Sequence, residues 1–418
     1  MAKKKLLMVV GAGASVDFDI PGVAKVGGLI SQEIQKLYPL VNDRSSNLYK
    51  YIEGRIRDYW KLAIPPHLFR EPHFEDVLYA IFAMVTAYPA AIHTSALGAL
   101  IAPQILPDVL EFGRDAKTAG RQELRSLAAF SVDAILKEFR GCCKTVATSK
   151  ASEFSRLERF VTALQAEFDI AVVTLNYDNV MYRAFPDIET GFEPASGQFQ
   201  EGRILARTGW PCMLHLHGSV HFDMPTPRAG GHNIHEVHWQ PDIDATFAAN
   251  AFGRNPQATL EGPDFPTSVL VAGYGKTSQI LRRPFRTYYS EVDRLVSACD
   301  AVLFTGYGFG DVHLNQAFSQ FRDGRRRPVV ILGFAQPGTM TLSGADPDNQ
   351  VARAVVHDLH TDLRSMTWLG YGHPDLVDDL LDAREFEVSG DAATPLSVWY
   401  NGMLEACDNA KKFIRRLV

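Results

Sequence analysis

Cysteine is sparse in this chain: five in 418 residues, at positions 142, 143, 212, 299 and 407. None stands in a Cys-x-x-Cys pair, which excludes a disulfide framework or a zinc ribbon as the organising device. Long apolar runs are missing too: no stretch approaches the roughly 18 residues that a membrane span needs. The start Met-Ala-Lys-Lys-Lys carries charge, but Leu6–Val10 is too short for a secretory h-region. It runs straight into a glycine turn, so it reads as a first strand and the protein as cytoplasmic. A net charge of −6 gives no general attraction to nucleic acid, so direct nucleic-acid binding is not expected. One basic cluster, Arg325-Arg326-Arg327, reads as a solvated loop before a strand. Internal repeats and low-complexity tracts are also absent.

What remains is an ordinary composition, 46% hydrophobic and 22% charged, on a chain long enough for two or three domains. Short buried strands are expected at Leu6–Val10, Ile170–Leu175, Met213–Leu216, Val269–Ala272, Ala301–Thr305, Val329–Gly333 and Met366–Leu369. Helical periodicity marks Val23–Leu37, Phe74–Tyr88, Gln122–Lys144, Glu153–Phe168, Arg286–Cys299, Asn349–Leu363 and Ser397–Leu417. The pattern predicts an α/β fold: a Rossmann-like, mostly parallel sheet with a large helical insertion after the first strand and a mixed C-terminal tail. Residues 1–41 and 169–374 would form the Rossmann-like domain and 42–168 the insertion. A loop-rich subdomain or lid is expected at 224–268, and 375–418 would be a tail available for assembly. The insertion and the tail carry no catalytic strings.

Chemistry-bearing residues gather where apolar runs end, which is where an open α/β sheet holds its ligand. Gly11-Ala12-Gly13-Ala14-Ser15 follows the first strand. Its two glycines let backbone approach a pyrophosphate at the start of a helix. A dehydrogenase fingerprint would need glycine where Val16 stands, and the turn alone is equally read as a tight turn without a ligand. Asn176 and Asp178 close the strand Ile170–Leu175. The Asn amide suits a ribose hydroxyl or a water, while Asp178 suits a structural cap. His217 ends the next run, and an imidazole that titrates near neutrality is a natural general base. His215 and His217, two apart on a strand, would also suit a metal, but no convincing third ligand lies near in sequence. His232, His235 and His238 read as surface loop, with zinc as the other reading. A second glycine-rich loop, Gly306-Tyr307-Gly308-Phe309-Gly310, leads through Asp311 to His313 and Asn315. Asp311 is set to cap the following helix. Two such loops in one sheet strengthen the case for a dinucleotide.

Together these strings resemble the sirtuin fold family, in particular its prokaryotic NAD-hydrolase branch associated with anti-phage defence. Gly11–Ser15 with Ile20-Pro21 resembles the family's first NAD loop. Thr174–Asp178 resembles its Thr-Gln-Asn-Ile-Asp string, and His215–Ser219 the strand with the catalytic histidine. Residues 306–315 resemble the late adenosine-side loop, and Phe74–Leu78 a helical element of that branch. The resemblance implies hydrolysis of NAD+ to nicotinamide and ADP-ribose, with Asn176 and His217 catalytic. Gly11, Ala12, Gly13, Ser15, Asp178, Gly306, Tyr307, Gly308, Asp311, His313 and Asn315 would hold the NAD. It also implies a homo-oligomeric effector that depletes NAD, partnered with a HerA-type ATPase or a short Argonaute. Leu175 stands where the protein deacylases carry glutamine, and their zinc-binding cysteine quartet is missing, so no structural zinc is expected. An NAD-dependent protein deacylase, disfavoured by these departures, is the first rival. A non-catalytic NAD- or ADP-ribose-binding subunit is the second.

Overall fold

The computed structural model describes residues 3–66, 69–87, 106–206, 210–224, 236–245, 268–273, 276–318, 327–335, 374–388 and 396–418. The first strand, β1 (Lys4–Val10), is buried from Leu6 to Val10. An unbroken apolar stretch buried on both faces is what a parallel sheet demands of its central strand. A short 3-10 turn at Ala12–Phe18 leads to α1 (Val23–Ile34). Then come α2 (Leu48–Ala63), α3 (Phe74–Ala87), the hairpin β2 (Asp108–Glu111) and β3 (Asp115–Thr118), α4 (Arg121–Ser149) and α5 (Ala151–Glu167). Asn47 caps α2 by accepting from the Lys50 amide at 3.0 Å, and its own side-chain amide donates to Ser31 O at 3.0 Å, tying α2 to α1.

The chain returns to the sheet with β4 (Phe168–Thr174), followed by α6 (Val180–Ala184), α7 (Glu201–Leu205) and β5 (Cys212–His215). The small ribbon β6 (Phe222–Asp223) and β7 (His238–Trp239) precedes α8 (Lys276–Ile280) and α9 (Phe285–Ala298). Next are β8 (Ala301–Thr305), α10 (Val312–Ala317) and β9 (Val329–Leu332). The tail supplies α11 (Pro374–Ala383), β10 (Glu387–Val388), β11 (Leu396–Trp399), α12 (Gly402–Asp408) and α13 (Ala410–Leu417).

The main sheet runs β10-β11-β9-β8-β1-β4-β5. Every neighbouring pair is parallel except β10 with β11. Numbered along the chain, the parallel strands lie in the order 3-2-1-4-5-6, the doubly wound arrangement of dinucleotide-binding sheets. The topological switch falls between β1 and β8, whose register sets Met8 beside Leu303.

Several sequence expectations change. The tail pattern predicts one helix over Ser397–Leu417, yet Leu396–Trp399 is the sixth parallel strand and two helices follow it. Gly402 sits at φ 78, a left-handed turn that separates the strand from α12. Val269–Ala272 is buried but joins no ladder. Val271 N donates to His217 O at 2.9 Å, and the Gln279 side chain stands in for a neighbouring strand by donating to Ala272 O at 2.8 Å and accepting from Ala272 N at 3.2 Å. Arg327 is not solvated: it is 1% exposed and donates to Cys299 O and Ser297 O, the carbonyls that end α9. The expected helix Asn349–Leu363, the strand Met366–Leu369, Arg325, Arg326, His232 and His235 lie outside the described residues, as does most of 224–268.

Candidate active site

Four loops leave the C-terminal ends of β1, β4, β5 and β8 and line one cleft of about 450 Å³, within the range of small-molecule and cofactor sites. The two glycine-rich loops are packed backbone to backbone. Gly11 N donates to Thr305 O and Gly13 N to Gly306 O, each at 3.0 Å. Gly306 adopts φ 57, and a Cβ there would stand 2.0 Å from Ala14 N. A Cβ on Gly11 would stand 2.6 Å from Gly306 O. A Cβ on Gly13 would stand 2.9 Å from Gly306 Cα, so these three glycines are required by the contact between the loops themselves. By contrast, an added Cβ at Gly308 or Gly310 would meet nothing; both line the cleft.

Asn176 closes β4 and is buried. Its side-chain amide donates to Gly11 O at 3.0 Å and to Ser15 Oγ at 3.1 Å. With both amide hydrogens engaged, its free capacity is the carbonyl oxygen, an acceptor suited to a hydroxyl or a water. Asp178 accepts from Val180 N at 2.9 Å. Burial raises its carboxyl above the usual range, and hydrogen bonds from the Val180 amide and Ser15 offset part of that. Ser15 thus links Asn176 to Asp178.

His217 follows β5 by two residues, where Gly218 turns the chain at φ 107. Its Nε2 lies 2.7 Å from Asp311 Oδ2. The other oxygen, Oδ1, accepts from His313 N at 3.0 Å and Leu314 N at 2.9 Å and caps α10. Lys276 Nζ donates to Asp311 Oδ2 at 3.2 Å and stands 3.4 Å from His217 Nε2 and 3.7 Å from Glu75 Oε2. Burial would raise the Asp311 carboxyl, but the His217 hydrogen bond, the charge His217 gains at the acid pH where this carboxyl titrates, the Lys276 charge and the Leu314 amide outweigh it. The carboxyl is held well below the usual range. Burial first, and the Lys276 ammonium second, push the His217 imidazole below its ordinary value, against the pull of Asp311 and Glu75. An ionised carboxylate only accepts, so His217 Nε2 carries the hydrogen. The neutral ring keeps its lone pair on Nδ1.

Of the expected site residues, Gly11, Ala12, Gly13, Asn176, Asp178, His217, Gly306, Tyr307, Gly308 and Asp311 line the cleft together. Ser15, His313 and Asn315 lie outside its wall. Asn315 accepts from Tyr307 OH at 2.6 Å and donates to Phe309 O at 2.7 Å, bracing the second loop. Asp311, expected only at the cap and the adenosine side, also faces His217. The insertion, read as carrying no catalytic strings, supplies Arg70, His73, Phe74 and Glu75 to the wall. Lys276 was not legible: its only signal is a lone lysine in a glycine-bounded loop after a buried run. His215 is 1% exposed and packs edge-on against Phe222 with neither ring nitrogen bonded, so it does not share a ligand set with His217. Among the described residues no group of three or more His, Cys, Asp or Glu could hold a metal ion, and no helix is long and apolar enough to cross a membrane.

A family model described as a SIR2-like domain matches residues 170–363, which takes in the Asn176, His217 and Gly306 loops. No curated protein matches the chain. Among solved structures, it is similar to a Sir2 homolog in complex with NAD, at 12% identity over 85% of this chain and 91% of that one, with a TM-score of 0.30. A structure described as the basis for the mechanism and regulation of Sir2 enzymes is 14% identical over 87% of this chain and 94% of that one, with a TM-score of 0.31. A Sir2 mutant in complex with 2′-O-acetyl-ADP-ribose is 12% identical over 86% and 95%, with a TM-score of 0.32. At such scores the assignment of a Rossmann-like α/β fold rests on the strand order above.

Proposed function

We propose that this cleft binds NAD+ and hydrolyses the bond between nicotinamide and its ribose, releasing nicotinamide and ADP-ribose. One observation carries the reading: an Asp-oriented histidine and a strand-end asparagine open on a single cleft at the switch point of a 3-2-1-4-5-6 sheet. The SIR2-like match over residues 170–363 supports it. Nicotinamide departs as a neutral group, so the leaving side needs no acid. The work left to the protein is to hold the sugar and to deprotonate the attacking water. His217 Nδ1 takes that proton, Asp311 stabilises the imidazolium that forms, and the Asn176 carbonyl oxygen accepts from a ribose hydroxyl or the water. NAD+ and water give nicotinamide, ADP-ribose and one proton, which the imidazolium returns to solvent.

The wider reading follows the resemblance of these strings. The enzyme is an NAD-depleting effector of anti-phage defence that works as a homo-oligomer in the cytoplasm, switched by a HerA-type ATPase or a short Argonaute. Nicotinamide release is measured on purified protein, alone and with each partner, beside a thermal melt. His217→Ala and Asn176→Ala are expected to melt as folded proteins and to release no nicotinamide. Release by both variants at the wild-type rate sinks the site assignment. Cleavage that requires an acetylated peptide restores the deacylase, and NAD that is bound but not consumed establishes the non-catalytic subunit.

A further inference from the structure

Lys276 is a buried feature of the cleft that the reaction above does not use. It is 7% exposed, on the opening turn of a helix that begins beyond the buried stretch Val269–Ala272. That helix is fixed one turn later by Gln279, whose side chain makes paired hydrogen bonds with the backbone of Ala272. The same buried stretch takes hold of the histidine loop, since Val271 N donates to His217 O and a Cβ on Gly218 would stand 2.4 Å from Val269 O. The lysine and the histidine are therefore carried on one braced piece of backbone, and their spacing does not depend on a mobile side-chain contact alone.

The ammonium lies between two carboxylates, 3.2 Å from Asp311 Oδ2 and 3.7 Å from Glu75 Oε2. Asp311 consequently faces two positive or potentially positive groups at once. A carboxylate with an imidazole as its only partner favours the charged imidazolium, which has no lone pair to accept a proton. A second cation on the same oxygen removes that bias.

We propose that Lys276 is a positioning residue: by neutralising the Asp311 carboxylate, it leaves the His217 ring uncharged and able to accept a proton, while Asp311 still orients it. The inference rests on His217 being the base of the proposed reaction, but its geometry and its test concern the protein alone. The groups that face this cluster are Asp311 at the start of α10, Glu75 on α3, and the Tyr289 and Tyr307 hydroxyls, whose ionisation is suppressed by burial and by Asp311. Tyr177 faces Glu75 and is likewise suppressed by burial. None of the three tyrosines supplies a charge near neutral pH, so Lys276, Asp311 and Glu75 set the field at His217.

The test is a proton NMR titration of the full-length protein labelled at histidine Cε1, without NAD, with the His217 signal identified by its loss in His217→Gln. In Lys276→Met the His217 midpoint is expected to rise by about one pH unit or more. In Glu75→Gln it should fall, because a carboxylate that favours the imidazolium has gone. Lys276→Arg, which keeps the cation, should stay near wild type. A midpoint that fails to rise in Lys276→Met, or that fails to fall in Glu75→Gln, overturns the proposal. If Lys276→Met does not fold, the Glu75→Gln and Lys276→Arg titrations decide it. Nicotinamide release across pH 5 to 9 is the second readout. The acid limb of kcat/KM in Lys276→Met should move up by about the same pH interval as the imidazole. A wild-type protein that releases no nicotinamide either alone or with each partner would defeat the NAD-hydrolase reading, whereas the titration would still test Lys276.

Discussion

At the scale of single residues, Asp311 has one oxygen for the helix cap and one for His217. Oδ1 caps α10 and Oδ2 fixes the His217 tautomer. Asp311→Asn separates the two. An amide retains an oxygen for the cap and Lys276 retains Glu75, so the variant should fold. Its NH2 group, turned toward Nε2, would draw the imidazole lone pair to that atom and put the hydrogen on Nδ1. Nicotinamide release should then drop by about 10²- to 10⁴-fold with little change in KM, as expected for a base held in the wrong tautomer. Steady-state kinetics with a melting curve checks this, and wild-type kcat in a folded Asp311→Asn would remove Asp311 from the mechanism. Asn176 and His217 were legible because each ends an apolar run, where a polar residue has few structural reasons to be. Lys276 and Glu75 were not. A lysine in a loop and a glutamate on an amphipathic helix look like solvated residues until folding brings them within 3.7 Å of each other.

At the scale of elements, the first glycine loop is clamped from two directions. The second glycine loop presses on it through Gly306, and the tail holds it through Asp17, whose Oδ2 accepts from Met403 N and Leu404 N, both at 3.0 Å. Those amides open α12, so Asp17 acts as that helix's cap although it lies 386 residues away from Met403. Loss of a capping carboxylate costs about 1 kcal/mol. Asp17→Ala should therefore lower the unfolding free energy by that amount, seen as a lower denaturant midpoint with the slope of the transition unchanged. An unchanged midpoint would mean that water replaces the carboxylate at no cost. Helices such as Phe74–Ala87 and Arg121–Ser149 were readable because their apolar stripes persist over several turns. Leu396–Trp399 was not, since over four residues the helical and strand periods cannot be told apart. Val269–Ala272 has the composition of a strand, but a side chain, Gln279, satisfies backbone that a neighbouring strand would otherwise pair.

At the scale of the whole molecule, the tail completes the sheet. β11 is its sixth parallel strand, and Trp399 packs with Phe386 and Phe413 at ring distances of 5.1 and 5.3 Å. The α/β class was legible in the alternation of apolar runs and helical stretches, but the strand order was not, because it depends on that late, short strand. The same closed core buries three histidines whose neutral form the fold requires. His215 is pushed down to about 3 by burial and by His221. His221 is pushed down to about 4, mainly by burial. His217 is lowered by burial and Lys276. In the unfolded chain each would titrate near 6.5. Below that value the unfolded state binds protons that the folded state refuses, so stability is complete above about pH 6.5 and declines as the pH falls toward 4. Each histidine can remove up to about 1.4 kcal/mol per pH unit within that window. The buried carboxyls Asp178 and Glu387, raised by burial, act in the opposite sense nearer the carboxylate range. The midpoint of thermal unfolding should therefore fall steadily between pH 7 and pH 5, and His215→Phe, which removes the most depressed imidazole, should flatten the slope. Calorimetry at half-unit steps of pH measures both. A melting temperature that is level across this range, or a His215→Phe slope as steep as wild type, would show that these imidazoles are protonated in the folded protein and that the core admits their charge.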